Sequence, residues 1–373
     1  MTGNPGSYTV GLLNMQTDGT SYLAGDSIIE IPRANYTVAR LKRNVLSSSS
    51  VGVIALNRQG MVDGSAYNRG LGVDGVFTLP HNVQVVSLLA KTFSPGIEDR
   101  DMAGALSIDW TTDRLGLRGG YTDIQEDFNA EMGFIRRVDI RSSNLGASWT
   151  PRPGWLGVRN LLVEADLENI DNHQGTLQSR KSELSLSLMW SHVSKVSAGV
   201  SNEYDLLVSP FDVGPNTVAP GAYSFSIVST SFGTDDSRRV YGGGGAELGE
   251  YYGGSRRTLT ANLNFLAQET LLFENDYTRN RISLPNSPTY VTNTLNTRVT
   301  YSISPTLFLK AFVQYNDERK LTNLNVLLWS IYRPGSDLYI VYNQGWEIGL
   351  PGPDGPRVRG RSLAIKFTYW LSR

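Results

Sequence analysis

Residues able to carry out chemistry are few. Histidine occurs only 3 times in 373 residues. His81 and His192 fall in short turns, and His173 lies in a longer connection beside Asp171 and Asn172. Ser–His–acid hydrolysis needs three groups converging on one point, and histidines spread between opposite ends of a strand array do not converge. No pair of them has metal-ligand spacing either. Glu164, Asp166 and Glu168 alternate along one segment. Glycoside cleavage needs two carboxyls opposed across a gap of roughly 5–9 Å, whereas i and i+2 on a strand stand side by side. These acids read as part of a hydrated wall in contact with Arg114, Arg118, Arg256, Arg298 or Lys310. The glycine run 242–245 lacks the Lys and Ser/Thr of a phosphate loop, so it marks bending or close backbone approach. The acidic stretch 123–131 (DIQEDFNAE) lacks the spacing of a calcium loop and reads as solvated. No catalytic residue, cofactor or metal is expected, and the chain reads as a non-enzyme.

Composition narrows the class further. There is no cysteine, which excludes a disulfide scaffold and Cys-based metal or redox sites. A net charge of −1 gives no footprint for nucleic acid. No apolar run is long enough for a membrane-spanning helix. Strands that alternate apolar and polar residues cross a bilayer at ordinary hydropathy, so a membrane is not excluded. The first residues, MTGNP, lack the charged and apolar regions of a signal peptide. The expectation is therefore a processed, recloned or partial chain.

The elements that position these residues read as strands. In 294–303, Leu295, Val299, Tyr301 and Ile303 oppose Asn296, Arg298, Thr300 and Ser302. In 256–265, Leu259, Ala261, Leu263 and Phe265 oppose Arg256, Thr258, Thr260, Asn262 and Asn264. In 161–168, Leu161, Val163, Ala165 and Leu167 oppose the three carboxylates. In the last segment Leu363, Ile365, Phe367, Tyr369 and Leu371 oppose Ala364, Lys366 and Thr368. Period-two alternation gives each segment one oily and one wet face. Segments 51–56 and 83–90 are apolar on both faces and remain ambiguous.

Connections alternate long (16–33, 60–67, 94–100, 125–139, 169–175, 210–221, 249–255, 279–291, 346–359) and tight (79–82, 112–113, 151–154, 191–193, 234–236, 267–268, 304–305, 333–335). Outer-membrane barrels have this asymmetry, with short periplasmic turns and longer outer loops. An open sheet edge cannot face lipid, so the sheet must close. The expected fold is all-β: a large up-and-down antiparallel transmembrane β-barrel of about 20 strands, forming one domain over 1–373. Trp110, Trp149, Trp155, Trp190, Trp329 and Trp370, with Tyr8, Tyr121, Tyr301, Tyr332 and Tyr369, are expected in interfacial girdles. The polar residues expected to face the lumen are Asp109, Arg114, Arg118, Glu164, Asp166, Glu168, Arg256, Asn262, Asn264, Asn296, Arg298, Lys310, Gln314 and Lys366. Charges opposed across a bore are also how pores select ions.

Three stretches carry a family resemblance: 2–16 (TGNPGSYTVGLLNMQ), 128–139 (FNAEMGFIRRVD) and 296–347, which contains NTRVTYSISPTLFLKAFVQYND and RPGSDLYIVYNQGWE. With these the chain resembles the outer-membrane barrel family catalogued as domain of unknown function 5916, from about residue 1 to the C-terminus. In that family the barrel usually follows a domain similar to carbohydrate-binding module family 9. The resemblance starts partway into the family pattern, so that domain and the first strands are expected to be absent from this chain. It brings no catalytic residues. A barrel of about 20 strands reads as a conduit with a polar lumen, whereas the resemblance favours an anchor for a carbohydrate-handling domain; an outer-membrane hydrolase ranks below both. The expected location is the outer membrane of a Gram-negative bacterium with both termini periplasmic. The expected partners are outer-membrane lipid and lipopolysaccharide, the barrel assembly machinery, and a carbohydrate or other solute.

Overall fold

The structure, a computed structural model, describes residues 1–24, 27–62, 66–190, 194–352 and 355–370. The expected turn 191–193 with His192, and Leu371, lie outside the described residues. The strands run in chain order as β1 (Thr2–Gly3), β2 (Tyr8–Thr17), β3 (Thr20–Ala24), β4 (Ser27–Ile31), β5 (Ala34–Val45), β6 (Ser49–Gly60), β7 (Tyr67–Leu79), β8 (Val83–Phe93), β9 (Met102–Thr111), β10 (Leu115–Ile124), β11 (Ile140–Trp149), β12 (Val158–Asp171) and β13 (Leu177–Trp190). They continue as β14 (Lys195–Leu207), β15 (Phe211–Val213), β16 (Asn216–Val218), β17 (Gly221–Gly233), β18 (Val240–Tyr251), β19 (Gly254–Gln268), β20 (Leu271–Ser283), β21 (Tyr290–Ser304), β22 (Leu307–Asn316), β23 (Leu321–Arg333), β24 (Ser336–Gly352) and β25 (Gly355–Thr368). Twenty-one of them belong to one large sheet, and β3–β4 and β15–β16 form separate hairpins. The only helical pieces among the described residues are two single 3-10 turns, Pro80–Asn82 and Trp155–Gly157. Contacts divide the chain into two compact units, here called the first (Met1–Thr150, Glu164–Ser182, Tyr204–Leu206) and the second (Pro151–Val163, Glu183–Glu203, Leu207–Arg373).

In the first unit, β2 and β5 through β11 pair antiparallel, each with its neighbour in this series. Residues directly opposed across antiparallel strands share a face. The register aligns Val10, Leu41, Val53, Val73 and Leu89 on one rung. Leu12, Leu71, Leu106, Ile108, Leu117 and Leu145 stand on the same face, and all of these side chains are exposed. At one end of this belt lie Trp110 and Trp149, and Tyr8 sits beneath the Arg43 guanidinium, 5.4 Å from its ring centre. So broad an exposed apolar surface has no place in water. It fits hydrocarbon.

The ambiguous segment 51–56 is explained by its neighbours. Ile54 and Leu56 of β6 lie on the opposite face, over Gly72 and Gly70 of β7; a Cβ at Gly72 would stand 2.9 Å from Ile54. The missing side chains make room for these aliphatics, so β6 is apolar on both faces without breaking the alternation of the sheet.

In the second unit, β17 through β25 pair antiparallel in sequence. One rung there aligns Phe265, Phe273, Val299, Ala311, Val326, Tyr342 and Leu363, and the next aligns Leu271, Tyr301, Leu309, Leu328, Ile340 and Ile365. Tyr332 stacks on Phe367, ring centres 5.2 Å apart, at the end of this belt.

Several connections differ from expectation. Stretch 16–33 contains the β3–β4 hairpin, and 210–221 contains β15–β16. The expected long loop at 249–255 is a two-residue turn, Tyr252-Gly253, with φ of 44° and 77°. Such positive values at both positions suit a tight hairpin, and Tyr is a poor sequence signal for it. The expected loop 346–359 is mostly strand, because β24 and β25 run on to Gly352 and from Gly355. Conversely, the expected tight turn 234–236 spans 234–239. The long–short alternation is therefore clear in the first unit and blurred in the second.

If one face of β9 meets hydrocarbon, Leu106→Arg should cost about 2–4 kcal/mol in lipid vesicles, as for a cation on a lipid face. Ser107→Arg, on the other face, should stay within about 0.5 kcal/mol. Chemical unfolding in vesicles measures both, and equal costs would contradict the assignment.

Candidate functional site: the polar face and its covering connections

Opposite the apolar belt, both units carry a polar face. In the first unit, Arg118 of β10 is directly opposed to Asp109 of β9 and donates to the Asp166 carboxylate through Nε at 3.1 Å and through Nη2. Since side chains alternate along β12, Glu164 and Glu168 share the face with Asp166. Arg114 lies in the turn before β10. Arg40 of β5 reaches across β6 to Asp74 of β7, its Nη2 donating at 2.7 Å. It passes over Gly52, where a Cβ would lie 2.5 Å from the guanidinium. Gly52 thus keeps open the space that this ion pair occupies.

In the second unit the register places Arg256, Asn262 and Asn264 of β19, Asn296 and Arg298 of β21, Lys310 and Gln314 of β22 and Lys366 of β25 on one face. Arg256 pairs with Glu247 at 3.5 Å and Arg298 with Glu274 at 3.7 Å. Every strand-borne residue singled out from the sequence therefore stands opposite the belt of its own unit. Trp329 does so too, which corrects its assignment to an interfacial girdle. It stacks between Phe308 at 5.1 Å and Tyr339 at 5.8 Å, and its Nε1 donates to Asp337 at 3.0 Å. An Asp partner and neighbouring Lys310 and Lys366 suit a wet face.

Sequence reasoning missed what covers this face. In the first unit the connection 125–139 folds onto the polar-face residues Arg58, Asn68 and Thr92. Asn68 Nδ2 donates to the Asn129 carbonyl at 2.8 Å, the Asn129 N–H donates to Thr92 Oγ1 at 3.1 Å, and Arg58 pairs with Glu131 at 3.0 Å. Phe128 is buried, as are Asn68 and Thr92. The acids of the DIQEDFNAE stretch are thus paired within the protein: Arg58 with Glu131, Arg100 with Glu126 and Asp127, and Arg141 with Asp123, which also meets the His173 ring. Among the described residues no cluster suited to a metal ion forms.

His173 anchors the far end of this connection. Its Nδ1 lies 2.8 Å from Asp139, its Nε2 lies 2.9 Å from Asp123, and its backbone N–H donates to Asp139 at 3.2 Å. Desolvation opposes the charge on Asp139, but the hydrogen bonds from His173 outweigh it and hold this carboxyl below its ordinary value. His81 sits apart, in a turn at the other end of the strands.

In the second unit the β15–β16 hairpin covers the polar face. Val213 and Val218 pack with Ile282 and Leu284, ringed by Leu207, Tyr223, Tyr251, Tyr252 and Tyr290. Gly214, at φ 60°, lies against Tyr290, whose ring would stand 2.3 Å from any Cβ there. Asn216 Nδ2 donates to the Pro288 carbonyl at 3.1 Å.

No family model matches the chain, and no curated protein matches it in sequence. Solved structures match it in fold. The open form of the ferric-catecholate import receptor Fiu from E. coli K12 aligns with a TM-score of 0.56 at 8% identity, covering 98% of this chain and 74% of that one. The fold is a large antiparallel transmembrane β-barrel. Two Pseudomonas aeruginosa proteins align less well: OccK9 (OpdG), at TM-score 0.44 and 12% identity over 91% of this chain and 97% of that one, and OpdQ, at 0.42 and 11% over 96% and 97%.

The depressed Asp139 value fixes a sign for the barrel's response to acid. A carboxyl whose folded pKa lies below its unfolded one stabilises fully above the unfolded value, and that contribution is lost as pH falls through the folded one. Protease cleavage within 125–139 should therefore rise on acidification below the ordinary carboxylate range. Asp139→Asn should cleave faster at neutral pH and lose that part of the acid response. An unchanged acid profile in the variant would contradict the assignment.

Proposed function

We propose that this barrel is a conduit of the outer membrane of a Gram-negative bacterium, its polar face lining a watery lumen that the 125–139 connection and the β15–β16 hairpin narrow. The carrying observation is the separation of faces, with exposed aliphatics on one side and paired ions, amides and hydroxyls on the other. Large barrels enclose an aqueous channel unless something fills them, and a lumen lined by fixed charges discriminates among ions. The comparatively short turns at 46–48, 80–82 and 112–114 support placing that end of the first unit's strands in the periplasm; Met1, whose ammonium donates to the Leu12 carbonyl at 2.8 Å, lies partway up β2 and not at that end. Lipid and lipopolysaccharide then surround the belt, and assembly runs through the barrel insertion machinery.

A second reading is an anchor for a carbohydrate-binding domain. It rests on the resemblance carried by 2–16, 128–139 and 296–347. An anchor has no need of a continuous wet path.

Planar-bilayer recordings separate the two. The conduit reading expects stepwise ion conductance well above bare lipid. Arg58→Ala combined with Asn68→Ala, which unpins the 125–139 connection, should raise conductance or add gating flicker. A silent membrane containing correctly inserted protein would refute the conduit and favour the anchor.

A further inference from the structure

The polar face of the second unit differs in chemistry from that of the first. One rung reads Asn262, Asp276, Asn296, Gln314 and Asn323, and the adjacent one Asn264, Glu274, Arg298, Phe312, Asn325, Asn343 and Ser362. Carboxamides dominate. The ions present are largely satisfied, since Arg298 pairs with Glu274 and lies 5.1 Å over the Phe312 ring, and Asp276 is flanked by Asn262 and Asn296.

Where these rungs cross β22 to β25 the face opens into a cavity of about 420 Å³, lined mainly by Phe312, Gln314, Asn323, Asn325, Asn343 and Ser362, with Arg361 as its one charged residue. Its depth comes from Gly345 and Gly360, which stand opposite each other where side chains would fill it. A Cβ at Gly360 would meet nothing within 4 Å. Inside, Asn325 Nδ2 donates to Asn343 Oδ1 at 2.5 Å and Asn343 Nδ2 donates to Ser362 at 3.3 Å. Gln314 Nε2 donates to Asn296 at 3.4 Å. Asn323 has no side-chain partner among the described residues.

From this we infer that the cavity is a binding site for a neutral polyhydroxylated solute, an oligosaccharide being the fitting class. A carboxamide offers two donors and an acceptor with two lone pairs, so a row of them matches hydroxyl groups, which both give and take. A single cation, Arg361, borders the cavity, too little to repay the hydration that a multiply charged anion would lose there. Flat apolar surface for the C–H face of a sugar ring is supplied by Phe312 and, further along the same face, by the Phe308–Trp329–Tyr339 stack. The volume lies within the usual range of small-molecule sites. The inference rests on the reading that this face borders the lumen, and it names the solute that such a lumen would hold.

The test is calorimetric titration of the full chain in lipid nanodiscs with maltohexaose, against polyethylene glycol of matched size, which has ether acceptors but almost no hydroxyl donors. Saturable binding of maltohexaose and none of the glycol is expected. Gly360→Met fills the hollow, its Cβ meeting nothing within 4 Å, and Asn323→Leu with Asn343→Leu removes one unpartnered and one paired amide. Each should weaken binding at least about tenfold, as when a hydrogen-bonding site loses its complement. Absence of saturable binding, equal binding of the glycol, or unchanged affinity in both variants would overturn the site. Binding without conductance would leave the site standing and defeat the conduit; conductance without binding would do the reverse.

Discussion

Pairing of backbone amides governs this structure. In hydrocarbon an unpaired N–H or C=O costs several kcal/mol, so every membrane-crossing stretch must hydrogen-bond to its neighbours along its whole length. The registers show this over nine to twelve consecutive residues in most pairs, with few bulges. Once pairing is fixed, alternation follows, and each residue's place on the oily or the wet face is set by parity alone. That is why Leu106 and Ser107, neighbours in sequence, have opposite surroundings.

Because lipid solvates one face, the polar face is free to be specialised locally. The first unit uses it for ion pairs that reach across strands, Arg40 to Asp74 over Gly52 and Arg118 to Asp166, and for a connection tied down by Asn68, Thr92 and Arg58. The second unit uses it for amides, an aromatic row and a hairpin with a small core of its own. Conventional burial is sparse elsewhere, as expected when most apolar surface is covered by lipid and not by protein.

Parity made much of this legible in the sequence. Segments 256–265 and 294–303 show their two faces residue by residue, and the connection 125–139 has the bounds that the ends of β10 and β11 give it. Features set by distant partners were not legible. The docking of 125–139 depends on side chains more than thirty residues earlier, so its acids looked merely solvated. Tyr252 in a left-handed conformation defied its usual preference because Phe211, Tyr223, Phe225 and Tyr251 surround it. Trp329 looked like a girdle residue because its position near a strand end was visible and its facing Asp337 was not. The amide cavity was missed although Asn262, Asn264, Asn296 and Gln314 had been singled out, since Asn323, Asn325 and Asn343 join them only through register.

Thiol labelling along β19 tests the division of faces most directly. The chain contains no cysteine, so each introduced thiol reports alone. With the protein in lipid vesicles and a membrane-impermeant maleimide in the water, cysteines at Thr258, Thr260, Asn262 and Asn264 should react, and those at Leu259, Ala261, Leu263 and Phe265 should not. Reaction at every position, or the opposite alternation, would contradict the account.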